Sequence, residues 1–252
     1  MSTSIRFVSI SMPNGEASSL PLVSLTGEWF RLIPSRFPPI SIYERVIAND
    51  RLNELVAVEN LTNPRVKTAT LMTSGLVPVD PSSPALQNWN LAPFTYPNPE
   101  GSYFFRKGFS VLELSENLQA ALATSVRRRE LFLRRTREPP IDLEMRVLKT
   151  PVSGDFVDLR QSPPFSEEDR WKVGDSVVRQ NLDGALFSSP DREGSSCIAV
   201  LKESKLGRSE QTKHFKFRWD GERFSSIVAF GEVEEFSPDI FSSGADFIAN
   251  LP

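Results

Sequence analysis

Between Phe109 and Leu133 the chain changes its hydrophobic period, and this switch constrains the fold more than any other feature. "FSVLEL" alternates apolar and polar side chains, as a half-buried strand does. In "SENLQAALATSVRRRELFL" the apolar Leu118, Ala121, Leu122, Val126 and Phe132 recur at helical spacing. Ser115 is placed to cap that helix. The pattern predicts a strand over Phe109–Leu114 that runs into a long helix.

Around this junction the elements alternate irregularly, which favours a single mixed α/β (α+β) domain. Residues 1–28 are rich in Ser, Pro and Gly and read as an N-terminal arm with one short strand at "IRFVSI". Residues 29–230 form the domain, opened by a core strand at Trp29–Ile33, and 231–252 are a tail. Pro34, Pro38 and Pro39 force an extended path. A helix is expected near "NDRLNELVAVENLT", then an irregular proline-rich stretch over 75–102. Two strands are expected at "DLEMRVLKT" and "DFVDLR", and a short helix at "SEEDRWKVGDSVVRQN". A strand–turn–strand follows in "DGALFSSPDREGSSCIAVLKESKL". "KHFKFRWDGERFSSIVAF" reads as a hairpin turning at Asp220-Gly221.

Composition removes several function classes. A net charge of −3 and a pI near 5.5 give no global attraction to nucleic acid or to acidic membranes. No apolar run approaches the ~18 residues of a membrane span, and the first residues lack the pattern of a signal peptide. One cysteine, Cys197, suits a reducing cytosol, so the expected location is cytoplasmic. One histidine, His214, argues against a metal centre and against histidine-based hydrolase triads; its place in an alternating strand favours a plain hydrogen-bonding role. Neither a P-loop nor a dinucleotide-binding glycine fingerprint is present. The run Arg127–Arg137 reads as a solvated helix end favoured by the macrodipole rather than as a nucleic-acid interface.

Two stretches could serve a phosphate-bearing ligand. "FRLIPSRFPP" sets Arg31 and Arg36 around a rigid proline segment, and arginine forks suit a diphosphate. "DGALFSSPDREGSS" places small residues, including Ser188 and Ser189, after a strand, where backbone and hydroxyl groups can approach a ligand closely. Each has an ordinary reading beside it, as surface arginines and as a turn.

Taken in order, "FRLIPSRFPPISIYERV", "LTNPRV", "APFTYPNPEGSYFF", "RRRELFLRRTREPPIDLEMRV", "LDGALFSSPDREGSSCIAVLKESKL" and "KHFKFRWDGERF" resemble the RES-domain family of bacterial toxin–antitoxin toxins over residues 29–228. The resemblance implies a fold similar to ADP-ribosyltransferase toxins, NAD⁺ as substrate or ligand and no metal. It also implies an antitoxin or other regulatory protein as partner; a homo-oligomer stays open. Arg31 stands at the family's first-strand arginine and Ser189 at its serine. The expected helix glutamate falls at Thr124, and Leu122, Ala123, Ser125 and Val126 around it are uncharged. A second arginine falls at Tyr103. Glu113, on the adjoining strand, is the substitute acid if its side chain faces the site. Cleaving the nicotinamide bond builds positive charge on the ribose, and loss of one preorganised group costs about 10²–10³ in rate.

Three readings follow: a degenerate NAD⁺ or ADP-ribose binder, an active NAD⁺-degrading or ADP-ribosylating enzyme with a relocated acid, and a structural or interaction module. The positions that decide among them are Arg31, Arg36, Tyr103, Glu113, Thr124, Ser188 and Ser189.

Overall fold

The computed structural model describes residues 6–12, 15, 17–35, 88–96, 98–230, 235–236 and 238–241. The helix expected near residue 50 and the position of Arg36 lie outside them. The strands are β1 (Arg6–Ser11), β2 (Ala17–Pro34), β3 (Leu112–Ser115), β4 (Ile141–Asp158), β5 (Gly184–Ser188), β6 (Ser196–Val200), β7 (Glu210–Trp219), β8 (Phe224–Ala229) and β9 (Glu235–Phe236). The helices are α1 (Asn88–Thr95), α2 (Leu118–Thr136) and α3 (Glu167–Arg179). The fold is mixed α/β, as expected.

Among the described residues, all nine strands join one sheet, in the order β1-β2-β3-β6-β5-β4-β7-β8-β9, with a further pairing between β2 and β4. That extra pairing closes a five-stranded ring, β2–β4–β5–β6–β3, in which β3 returns to β2 through the single pair Phe30↔Ser115. The two 18-residue strands make this possible because each changes partner along its length. On its outer edge β4 pairs with β7 as far as Lys149 and with β5 from Phe156.

Pro151 and Gly154 lie between the two segments expected as separate strands and fall between those partners. A proline is tolerated there because no continuous ladder asks for its missing N–H on that edge. One strand therefore stands where two were expected. The core strand expected at Trp29–Ile33 is the last part of β2, which begins at Ala17. Its first part, Ala17–Leu22, pairs with β1. The irregular stretch 75–102 contains α1, with Pro93 inside it.

Three apolar clusters organise the interior. One lies between α2 and the β7–β8 hairpin, and includes Leu122, Leu133, Met145, Phe215, Phe217 and Ile227. A second fills the ring with Trp29, Leu112, Leu114, Phe156, Leu186 and Ile198. The third lies under α3 and holds Phe104, Phe105, Val173, Val177, Ala185, Phe187 and Cys197. Successive side chains on β5 and β6 therefore alternate between the second and third clusters, and this alternation positions the candidate site.

The cap of helix α2 lies two residues past the expected Ser115, which belongs to β3. Asn117 caps the helix, accepting from the Ala120 N–H at 2.8 Å. Helix α3 is capped by Ser166 and carries three acids in its first turn, where the helix dipole favours them. The hairpin turns at Asp220-Gly221 as expected: Asp220 Oδ1 accepts from the N–H groups of Glu222 and Arg223, and Gly221 has φ +107°.

Candidate active site

On β3, Leu112 and Leu114 point into the ring, so Glu113 and Ser115 point out of it. On β6, Ile198 and Val200 point in, and Cys197 and Ala199 point out; on β5, Phe187 points out with Ala185. The cross-strand pairs Glu113↔Ala199↔Ala185 and Ser115↔Cys197↔Phe187 put these side chains on one outer face. Glu113 thus shares its face with Phe187 and Cys197, and Ser189, two residues past Phe187, follows at the end of β5.

The serine is held by its own turn. Its Oγ accepts from the N–H groups of Asp191 (3.3 Å) and Arg192 (3.2 Å), and its N–H donates to the Ser195 carbonyl at 2.8 Å. Burial pushes the Cys197 thiol up to about 11, against hydrogen bonds from Ser115 and Ser189 that pull it down. At neutral pH it is a protonated, buried thiol and a poor nucleophile. Ser188 has the opposite parity. It is exposed, and its hydroxyl donates to the Arg160 carbonyl at 3.3 Å.

Helix α2 crosses this face and fastens to it by two adjacent arginines. Arg128 pairs with Glu113, and Arg127 with Asp191; both carboxylates are buried, with side chains 8% and 4% exposed. The Glu113 charge holds the Arg128 guanidinium above its usual value against the opposing effect of burial. The arginine run was expected to be a solvated helix end; Arg127 and Arg128 are exposed, and they are also the counter-charges of buried acids. Thr124 lies one turn before Arg127 and Arg128, on the same side of α2. Its Oγ1 is buried and has no hydrogen-bond partner among the described residues.

Tyr103 closes another side. Its ring stacks on Phe187 at 5.4 Å and 17°, and the Arg170 guanidinium lies 4.2 Å from the ring centre. Its N–H donates to Glu113 Oε1 at 2.9 Å. The segment that carries it is held by α3: Trp171 Nε1 donates to the Ser102 carbonyl (3.2 Å) and Arg170 Nε to the Tyr103 carbonyl (3.0 Å).

The structure therefore gathers Tyr103, Glu113, Thr124 and Ser189 around one face. Arg31 is placed differently. It alternates with Phe30 and Leu32, which pack against the α2 core, and has the parity of Trp29, which points into the ring. Burial lowers its guanidinium to about 10. His214 lies on β7, 2.8 Å from the Gln211 side chain, in the hydrogen-bonding role expected of it. An open depression lined by Arg134, Arg137, Glu138, Gly221 and Glu222 lies past the C-terminal end of α2, and no candidate residue lines it.

Asp191 was not among the residues singled out from sequence. "SSPDREGSS" signals a turn, but no local pattern says which of its acids turns inward. Arg127 holds Oδ1, and Oδ2 is buried with no hydrogen-bond partner among the described residues.

The chain is 46% identical over 229 residues to an uncharacterized protein, y4oC, of Sinorhizobium fredii (strain NBRC 101917 / NGR234), a match spanning 90% of this chain and 98% of the relative. Among solved structures, a chain of the M. tuberculosis MbcT–MbcA toxin–antitoxin complex aligns over 87% of this chain and 89% of its own, with 10% identity and a TM-score of 0.42. The model of the RES domain matches residues 83–220, more than half of the 252, and takes in Tyr103, Glu113, Thr124, Ser189 and Asp191. The chain belongs to the RES-domain family.

Proposed function

We propose that this protein binds NAD⁺ or ADP-ribose in a partly degenerate RES pocket and acts through that binding or through a protein partner, not through turnover. One observation carries the reading. Glu113, the substitute acid considered from sequence, has both oxygens committed, Oε1 to the Tyr103 N–H and Oε2 to Arg128. A carboxylate neutralised by an arginine offers little net negative charge to a cationic ribose in the transition state. Thr124, at the helix position where the family carries its glutamate, has no charge to offer. Tyr103, at the position of the second arginine, stacks on Phe187 and so leaves a diphosphate one fork fewer.

The partner belongs to the same proposal and is a regulatory protein of the antitoxin kind, on the strength of family membership. Cytoplasmic residence is proposed on the single cysteine, which is buried as a free thiol. No helix among the described residues is long and apolar enough to cross a membrane.

The test is a pair of measurements on purified protein. ADP-ribose or NAD⁺ at ~100 times Kd should add about 2.7 kcal/mol to stability. That corresponds to a melting-temperature rise of roughly 5–10 °C for a chain of this size. NAD⁺ should remain intact over hours of incubation. Sustained NAD⁺ loss that disappears in Ser189→Ala or Arg31→Ala would overturn the reading in favour of an active enzyme. In that event Glu113→Gln decides whether the relocated acid is Glu113.

A further inference from the structure

Acids neutralise two arginines of α2 that reach the site and one on the segment that carries Tyr103. Arg127 pairs with Asp191, Arg128 with Glu113 and Arg106 with Asp175. Arg170 on α3 is different. No carboxylate pairs with it among the described residues, and the acids on either side of it, Asp169 and Asp175, are held by Lys172 and Arg106.

The contacts that Arg170 does make are with neutral groups. Its Nε donates to the Tyr103 carbonyl at 3.0 Å and its Nη1 to the Phe165 carbonyl at 2.9 Å. Its guanidinium carbon lies 4.2 Å from the centre of the Tyr103 ring. These contacts fix the plane of the fork without cancelling its charge, and they leave N–H groups on Nη1 and Nη2 unspent. The residue is half-buried, and Nη2 is not among the buried atoms that lack a partner. Tyr103 ties this cation to the site, because its N–H donates to Glu113 at 2.9 Å and its ring stacks on Phe187.

A half-buried cation with no counter-charge favours an anion beside it. A planar fork with donors to spare accepts either a carboxylate or a phosphate, and the ligand-binding reading above selects the phosphate. We propose that Arg170 is a contact residue of the site and holds a phosphate group of the bound nucleotide at the Tyr103 end. This rests on that reading and names the cation that this end of the site offers. The bland alternative is a clamp: Arg170 would then serve only to hold Tyr103 through the two carbonyls and the ring.

Isothermal titration of wild type, Arg170→Met and Arg170→Lys with inorganic pyrophosphate and with ADP-ribose separates the two. Methionine keeps a long apolar stem against Tyr103 and loses the charge, so both ligands should bind Arg170→Met about tenfold or more weakly. Lysine keeps the charge and loses the fork that grips both carbonyls, so Arg170→Lys should stay within roughly threefold of wild type. A lysine variant as weak as the methionine variant overturns the contact in favour of the clamp. ADP-ribose binding that is equal in all three proteins overturns the contact and leaves the ligand-binding reading standing. Pyrophosphate binding that depends on Arg170, with no binding of ADP-ribose to wild type, upholds the contact and overturns that reading. Binding of neither ligand to wild type overturns both. Should Arg170→Met fail to fold, Arg170→Gln takes its place.

Discussion

Gly174→Ala should lower the melting temperature by about 10 °C and loosen the site at the same time. In an exposed helix this substitution gains about 1 kcal/mol, because alanine restricts the unfolded chain and favours the helix. At this position in α3 the new Cβ would lie 1.8 Å from the Phe104 carbonyl oxygen and 2.9 Å from its carbon. Those are backbone atoms, so no side-chain rotation relieves the clash, and the helix and the Ser102–Phe105 segment must part.

The parting is costly because α3 grips that segment at three successive residues. Trp171 takes the Ser102 carbonyl, Arg170 takes the Tyr103 carbonyl, and Gly174 lets Phe104 approach. Phe104 and Phe105 are both buried in the cluster beneath. Overpacking against rigid backbone costs about 3 kcal/mol or more, which outweighs the helix gain. Because Tyr103 delivers its N–H to Glu113, the displacement reaches the candidate site as well. Thermal melts of Gly174→Ala and of Gly27→Ala check this; in the latter the Cβ meets nothing closer than Trp29 Nε1 at 3.8 Å. The control should stay within a few degrees of wild type, roughly a 1 kcal/mol change. A Gly174→Ala protein that melts at or above wild type sinks the argument.

What the sequence made legible was chemistry that acts over a few residues. The Asp220-Gly221 turn, the short helix that starts after Ser166 and the strand-to-helix switch at Ser115–Leu118 depend on neighbours in the chain, and they are found where the pattern puts them. The continuity of β4 through Pro151 was not legible, because it depends on β7 ending and β5 beginning on the same edge. The facing of Glu113 was an even choice until the sheet showed Leu112 and Leu114 turned into the ring. The inward turn of Asp191 is further removed still. It follows from Arg127 on a helix more than sixty residues earlier, and the pairing of exposed arginines with buried acids was not legible for the same reason.

Asp183→Asn should destabilise the protein by about 2–3 kcal/mol at neutral pH, and that difference should vanish in acid. Asp183 immediately precedes β5, which carries Phe187 and leads to Ser189. Its side chain is 10% exposed, and Lys202 and Lys205 each lie 3.0 Å from it. It also accepts from the Asp155 N–H at 2.9 Å, which ties the start of β5 to β4. Removing one partner of a buried pair costs about 3–5 kcal/mol. Both lysines are about one-third exposed, so water takes back part of that loss, and the lower figure applies.

The pH dependence follows from the sign of the shift. Burial alone would raise the Asp183 carboxyl, but the Asp155 N–H and the two ammonium groups outweigh it and hold the group below its ordinary value. A carboxylate depressed in the folded state contributes its full stability above the unfolded value of about 4 and loses it as pH falls through the folded value. Denaturant unfolding of wild type and Asp183→Asn at pH 7 and near pH 2 separates the possibilities. A difference that persists undiminished in acid would mean that asparagine fails by shape or by its amide hydrogens, and that the carboxylate's charge holds β5 to β4 no more strongly than a neutral acceptor.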